Sequence, residues 1–294
     1  MRDLLNRYGV MLTSIFVVLT GFWLLMLVVL PNIYLFENSF RPYLPYTEIG
    51  GPRDTFSLNN YATFVESPIH ISVFFWTIIY SSLVTIICFI LAYPLAYYLS
   101  KVADNQLLPV IFLLLFIPLW VSEILRAFAW FIILALKGPL NASLIGLGII
   151  EAPIRWVTGF RGVMIGLVYT YVLFMLLPLY NAMQSLDTNQ IEAAEDLGSP
   201  WWRTHLRVIL PQAKPGIASG SVMVFMLSAG SILVPTLLAS TNSRWFTEVI
   251  QQWMLESLDW NTGSAYAFLL LILCTVFVSV VMRVFRVKLS DIAK

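Results

Sequence analysis

The sequence predicts an all-α integral membrane protein with six transmembrane helices and both termini in the cytoplasm. Of its 294 residues, 59% are hydrophobic and only 11% are charged, and the mean hydropathy is +0.83. Too few side chains are polar to cover a soluble globule of this size. A helix needs about 20 mainly apolar residues to cross the hydrocarbon core of a bilayer. Six segments meet this length, at about residues 10–30, 71–99, 107–136, 162–184, 217–240 and 264–284.

The predicted spans differ in detail. Arg2 and Arg7 precede the first span, as in a signal peptide, but its apolar stretch exceeds the usual length of about 7 to 15 residues. Pro31 follows it instead of a cleavage site, so we predict an uncleaved helix. The fifth span carries Gly216 and Gly220, a spacing that lets helices approach closely. Four prolines mark expected kinks: Pro94, Pro118, Pro178 and Pro235.

The distribution of basic residues sets the expected orientation. With both termini in the cytoplasm, ten of the 17 Lys and Arg residues fall on that side, six fall on the other, and Arg126 lies within the third span. Cytoplasmic loops carry the excess of Lys and Arg in membrane proteins. The sequence shows no internal repeat, and we treat residues 1–294 as a single transmembrane domain.

A polar segment, residues 187–214, separates the fourth and fifth spans and predicts a helix-turn-helix at the membrane surface. Asp187 is expected to cap a first helix over residues 188–197, with Gln190 completing a capping box. Gly198 then ends this helix, because glycine adopts the left-handed conformation that reverses the chain.

The second helix of this segment is expected to begin at once. Ser199 and Pro200 supply a cap and a first-turn proline. The helix then covers residues 201–208, and Leu210 and Pro211 end it.

The same loop carries a motif with the spacing E-A-A, three residues, G, nine residues, I-x-L-P. Its matching residues are Glu192, Ala193, Ala194, Gly198, Leu210 and Pro211. The motif resembles the EAA loop of permease subunits in binding-protein-dependent ABC importers, although Val208 stands where that family usually has Ile. The resemblance implies that the loop docks on an ATPase subunit, with Glu195 adding to the charge that Glu192 offers. The alternative is a solvated loop that only caps two helices.

The resemblance also implies a type I ABC importer permease fold and a division of labour. The chain would move a small solute from a periplasmic binding protein into the cytoplasm by alternating access, as a multi-pass protein of the bacterial inner membrane. Its expected partners are two ATPase subunits, a second and related permease chain and the binding protein, but no nucleic acid. The chain lacks the G-x-x-x-x-G-K-[ST] sequence, so ATP and Mg would bind the ATPase, and we expect no cofactor and no enzymatic activity here.

Further segments resemble the spermidine/putrescine branch of that family. They are residues 91–97 (LAYPLAY), 118–122 (PLWVS), 126–130 (RAFAW) and 177–180 (LPLY). A polyamine or a related cationic or zwitterionic amine is therefore the expected cargo. The branch also includes relatives for opines, aminophosphonates, thiamine and ferric iron, so these cargoes stay open.

Glu123 is an ionisable residue within the third predicted span and stands where the family usually has an uncharged residue. Intramembrane charges are functional candidates, so Glu123 is expected to face the substrate path. The alternative is an ion pair with Arg126, three residues later on the same helix face and near the outer interface. Aromatic rings attract ammonium groups, so four aromatics are further candidates, although interfacial belts explain most membrane aromatics. They are Trp120, Trp130, Tyr169 and Tyr171.

Other functional classes find less support in the sequence. His70 and His205 stand alone and the two cysteines are far apart, which argues against a metal site. An intramembrane enzyme would need clustered His, Cys, Asp or Glu, which the sequence does not show. An ion-coupled secondary transporter would carry inverted repeats, and we find none.

Overall fold

A computed structural model describes residues 2–287 except Tyr46, Ile49, Asn105, Thr241 and Asn242, with side chains from Gly9 onward. The described residues form helices and loops without a β-strand. In chain order the α-helices are α1 (Arg2–Leu24), α2 (Leu30–Ser39), α3 (Asn59–Glu66), α4 (Pro68–Tyr97), α5 (Leu108–Trp120), α6 (Glu123–Leu134), α7 (Pro139–Gly146), α8 (Phe160–Gln184), α9 (Thr188–Asp196), α10 (Trp201–Thr204), α11 (Leu210–Gln212), α12 (Lys214–Ala229), α13 (Leu233–Leu238), α14 (Phe246–Gln251) and α15 (Trp260–Phe285).

Within the described residues, five helical stretches are long and apolar enough to cross a membrane. They are Gly9–Ser39, Pro68–Val102, Glu123–Gly146, Phe160–Gln184 and Trp260–Phe285, and α5 is a shorter apolar helix. This confirms the predicted all-α membrane fold. The bounds of single spans differ from the predicted ones, and the differences are informative at three places.

The first span continues past Pro31 to Ser39. A π-helical turn, Leu25–Val29, comes directly before Leu30 and Pro31, and the Leu30 N–H donates to the Leu25 carbonyl. Proline normally clashes with the carbonyl four residues earlier and lacks the N–H for that bond. The wider π turn shifts these carbonyls, so the helix passes through the proline.

Two expected spans are interrupted. The third, expected at residues 107–136, breaks at Val121 and Ser122, whose ψ angles of 132° and 140° are extended. The fifth, expected at residues 217–240, is interrupted after α12, whose C-cap is Gly230, and continues as α13. Apolar composition sets where a segment can lie in a membrane, but it does not require that the helix be continuous there.

The chain divides into two compact units. One consists of the chain up to Ser67 together with Ile250–Leu269, and the other of Pro68–Val249 together with the chain from Leu270 onward. In the first unit, Asn60 Nδ2 donates to the carbonyls of Ser39 (2.9 Å) and Arg41 (2.8 Å). Arg41 also pairs with Asp54 at 2.7 Å, and the backbone N–H of Gly50 together with this guanidinium lowers the pKa of the Asp54 carboxyl.

The core of the second unit is formed where α4, α8 and α12 pack together. A Cβ on Gly216 would lie 2.4 Å from the Pro178 carbonyl oxygen, and one on Gly220 would lie 2.7 Å from Met175 Sδ. These distances confirm the predicted close helix approach at both glycines. Trp245 is fully buried in this unit and donates its indole N–H to the Ser228 carbonyl at 3.0 Å.

Candidate functional site

The first helix of the 187–214 loop has the predicted start. Asp187 Oδ1 accepts a hydrogen bond from the Asn189 N–H at 3.0 Å, and α9 follows. The Gln190 side chain takes a different partner from the one expected. It hydrogen bonds with the Gln212 side chain at 2.6 Å instead of completing a capping box. This bond joins the two ends of the loop.

Gly198 reverses the chain as predicted. Its φ of +73° is in the left-handed region, where glycine carries no Cβ penalty. The Gly198 N–H donates to the Glu195 carbonyl at 2.8 Å, and the Ser199 N–H donates to the Ala194 carbonyl at 3.0 Å. These bonds satisfy the last carbonyls of α9 and fix the angle at which the chain leaves it.

The second helix differs from the prediction at both ends. Pro200, not Ser199, is the N-cap residue, and no side chain caps this end. The helix also does not end at Leu210 and Pro211: α10 passes through a π-helical turn, His205–Ile209, directly into α11. The arrangement repeats that at Pro31, because a π turn again lets a helix run through a Leu-Pro pair.

His205 fastens the loop to α4. Its Nδ1 lies 2.8 Å from the Tyr93 hydroxyl, and its ring lies 4.6 Å from the Tyr97 ring. Burial lowers the pKa of His205, which favours the neutral ring, and a neutral Nδ1 can accept a hydrogen bond from the Tyr93 hydroxyl. His205 could not be chosen from the sequence, because only the fold brings it to two tyrosines that share a face of α4. Lys101, which follows α4, also donates to the Leu186 carbonyl just before the loop.

The opposite surface of the loop is open. Leu197 is 88% exposed and Trp201 is 75% exposed. The carboxylates of Glu192, Glu195 and Asp196 are exposed in the same loop, as is Ala193, and Ala194 is half-buried. Large exposed apolar side chains rimmed by charge are typical of a protein interaction surface.

A second polar group lies in the same unit, at a half-buried position. Glu123, the first residue of α6, accepts a hydrogen bond from the Tyr171 hydroxyl of α8 at 3.0 Å. Among the ion pairs of the described residues, none joins Glu123 to Arg126, so the alternative of an ion pair between them is not observed. The Nε atom of Arg126 is buried without a hydrogen-bond partner in this part of the chain.

Through its bond to Tyr171, Glu123 lies beside the middle of α8. Tyr171 is the twelfth of the 25 residues of α8, which places it about 16 Å along that helix and near its middle. The expected position near an interface assumed one straight helix from residue 107. The break at Val121 and Ser122 invalidates that extrapolation.

The remaining path candidates do not converge on Glu123. Trp120 is 76% exposed, and Trp130 contacts Tyr169 edge to face at 5.3 Å. Within the described residues, no group of three or more His, Cys, Asp and Glu side chains is placed to hold a metal ion.

Comparison with known proteins assigns the chain to a family. The model for the binding-protein-dependent transport system inner membrane component matches residues 85–290. The chain belongs to this family. It is thus a multi-pass inner membrane component of an ABC importer, a transport subunit and not an enzyme.

Its relatives include the spermidine/putrescine transport system permease protein PotB of Salmonella typhimurium (strain LT2), with 32% identity over 92% of this chain and 94% of that protein. PotB of Haemophilus influenzae is 34% identical over 89% and 90%. The inner membrane ABC transporter permease protein YdcU of Escherichia coli (strain K12) is 28% identical over 69% and 66%.

Solved structures share the fold at lower identity. A chain of a bacterial ABC transporter that imports the acidic polysaccharide alginate superposes with a TM-score of 0.72 at 19% identity, over 97% of both chains. A chain of the MetNI methionine ABC transporter in an inward-facing conformation gives 0.56 at 15% identity, over 74% of this chain and 94% of that one. The fold is therefore that of a type I importer permease.

Proposed function

We propose that this chain is the permease subunit that carries a polyamine across the inner membrane by alternating access, driven by ATP hydrolysis on a partner. The cargo proposal rests on relatives 32 to 34% identical over about 90% of the chain, which are permeases of spermidine/putrescine systems. The ion-coupled alternative finds no support, because the chain belongs to a family of binding-protein-dependent importers.

The proposal that ATP hydrolysis on a partner drives transport rests on the 187–214 loop. Its exposed surface combines Leu197 and Trp201 with the carboxylates of Glu192 and Glu195, and suits a cleft on an ATPase subunit. We place this surface in the cytoplasm on the bias of the basic residues.

The contacts on the inner side of the loop would transmit the motion. The Tyr93 hydroxyl bonds to His205, and Lys101 bonds to the Leu186 carbonyl. A displacement of the loop by its partner would therefore move α4, one of the three helices at the core of the unit.

The complete importer would contain two ATPase subunits, a second and related permease and a periplasmic binding protein. ATP and Mg would bind the ATPase subunits, and this chain would hold no cofactor. The substrate path would be shared between the two permeases. We retain Trp120, Trp130 and Tyr169 as proposed contacts along it, together with Glu123 and Arg126.

Coupling is tested in the assembled importer with Glu192→Ala and Gly198→Pro. Proline cannot adopt the φ of +73° at position 198, so this variant changes the angle between α9 and α10. We expect both variants to insert normally but to lose ATP hydrolysis stimulated by the loaded binding protein. Glu151→Gln, an exposed change before α8, is the control and should behave as wild type. Wild-type stimulation in both loop variants would refute the assigned role.

The cargo is tested on the binding protein encoded beside this permease. We expect putrescine or spermidine to stabilise it in calorimetry or thermal-shift measurements. Binding of an opine, an aminophosphonate, thiamine or ferric iron instead would keep the importer proposal and replace its cargo.

A further inference from the structure

Two interrupted helices and one continuous helix bring polar groups together within the second unit. Glu123 and Arg126 are in α6, directly after the break that ends α5, and Ser231 is in the break between α12 and α13. Tyr171 of α8 bonds to Glu123 and lies within interaction range of Arg126 and Ser231. We call these four residues the helix-break junction. Binding sites in membrane transporters commonly form where helices are discontinuous.

The junction lies far from the ends of α8. Tyr171 is about 16 Å from the start of a helix that is about 37 Å long. A charged side chain at this depth is costly in a bilayer, and such residues are retained where they pair or face a cavity. Among the described residues, no ion pair at contact distance joins Glu123 to a cation.

Much of the hydrogen-bonding capacity of the junction is unused. A carboxylate can accept about four hydrogen bonds, and Tyr171 supplies one. The Arg126 Nε is buried and has no hydrogen-bond partner in the described part of the chain. Ser231 is only 5% exposed. The remaining acceptor sites of the Glu123 carboxylate are the ones that a donor group of a ligand can occupy.

We propose that the Glu123 carboxylate, positioned by Tyr171, receives one ammonium group of the cargo during transport. This rests on the proposed importer function and names the group of the permease that selects an amine. Glu123 is half-buried, so part of its carboxylate stays accessible. An ammonium group has three donors and fits the remaining acceptor sites of a carboxylate.

The charges of the junction limit what it accepts. The charges of Glu123 and Arg126 sum to zero, so the junction has a net charge of +1 when one ammonium group is bound. A second ammonium group at the same place would be repelled by the first one and by Arg126. A diamine would thus pass with one end in the junction at a time.

The roles of the two main residues differ. Glu123 contacts the ammonium group, and Tyr171 is a positioning residue, because its hydroxyl fixes one carboxylate oxygen and leaves the other free. A purely structural role would be the favourable position of an acid in the first turn of α6. Loss of that role would destabilise the permease itself, so the uptake of every cargo would fall to the same extent.

The test uses the complete importer reconstituted in liposomes with its binding protein and radiolabelled putrescine. Glu123→Gln keeps an oxygen that accepts from Tyr171 but removes the charge. We expect putrescine uptake to fall at least tenfold, as for loss of a charged hydrogen bond, while ATP hydrolysis stimulated by the loaded binding protein stays within twofold of wild type. Tyr171→Phe should lower uptake less, and Glu151→Gln should not change it.

The outcomes separate this inference from the proposed function. Wild-type putrescine uptake by Glu123→Gln would overturn the inference and leave the importer intact, as would a parallel fall of uptake and ATP hydrolysis, which would indicate a structural role. If wild-type importer moves another amine instead of a polyamine, the same variants tested with that amine decide the inference. Cargo without an ammonium group would overturn both the polyamine proposal and the junction.

Discussion

Removing the Tyr93 hydroxyl tests how the 187–214 loop is joined to α4. Tyr93→Phe keeps the ring and deletes the 2.8 Å bond to His205 Nδ1. A neutral hydrogen bond contributes about 0.5–1.5 kcal/mol, and an acceptor left unpaired in a half-buried site costs about 1–3 kcal/mol. We therefore expect Tyr93→Phe to weaken the contact between the loop and α4 by about 1–2 kcal/mol, which corresponds to a factor of about 5 to 30 in the equilibrium between the joined and separated arrangements.

If this contact transmits the motion of the loop, the ratio of cargo moved to ATP hydrolysed should fall at least fivefold in Tyr93→Phe. The assay measures both quantities in the same proteoliposomes. His205→Asn should restore part of the ratio relative to His205→Ala, because its side-chain oxygen is as many bonds from Cα as Nδ1. Tyr98→Phe, on an exposed side chain five residues further on, is the matched control. An unchanged ratio in Tyr93→Phe would refute this transmission route.

Three further predictions concern stability and pH. Gly216→Ala should lower the free energy of unfolding by about 1–3 kcal/mol in thermal unfolding, because the added Cβ would lie 2.4 Å from the Pro178 carbonyl oxygen. Gly21→Ala is the control, because the space around Gly21 is open and no loss is expected there. Equal effects of the two changes would contradict the packing argument. Asn141→Ala should cost about 2–4 kcal/mol by the same measurement, since its buried amide bonds to Ile154 and Trp156, and a wild-type melting temperature would count against this. Acid should weaken the contact of His205 with Tyr93. The pKa of His205 is lower in the folded protein than in the unfolded chain, so on acidification the unfolded chain takes up the proton first. The stability that this contact contributes is therefore lost as the pH falls below about 6.5. In titrations, His205→Asn should remove this pH-dependent part, and an unchanged profile would exclude His205 as its source.

The sequence by itself determined the fold class and the start and turn of the helix-turn-helix in the 187–214 loop. Composition and span length predict an all-helical membrane protein, because a bilayer accepts only segments that satisfy their own backbone. The Asp187 cap and the Gly198 turn were predictable because they depend on neighbouring residues, and the structure confirms both. Close helix packing at Gly216 and Gly220 was also predictable, because the spacing of the two glycines is visible within one segment of the sequence.

The tertiary structure alone decided which polar groups meet. His205 looks isolated in the sequence, and its bond to Tyr93 joins residues 112 positions apart. Glu123 has Arg126 as its nearest charged neighbour along the chain, yet it bonds to Tyr171, 48 positions away. The break at Val121 and Ser122 separates α5 from α6, so spacing along an assumed straight helix gives neither the position of Glu123 nor its hydrogen-bond partner. Local sequence specifies caps and turns, whereas the packing of distant helices selects the partners of a buried charge.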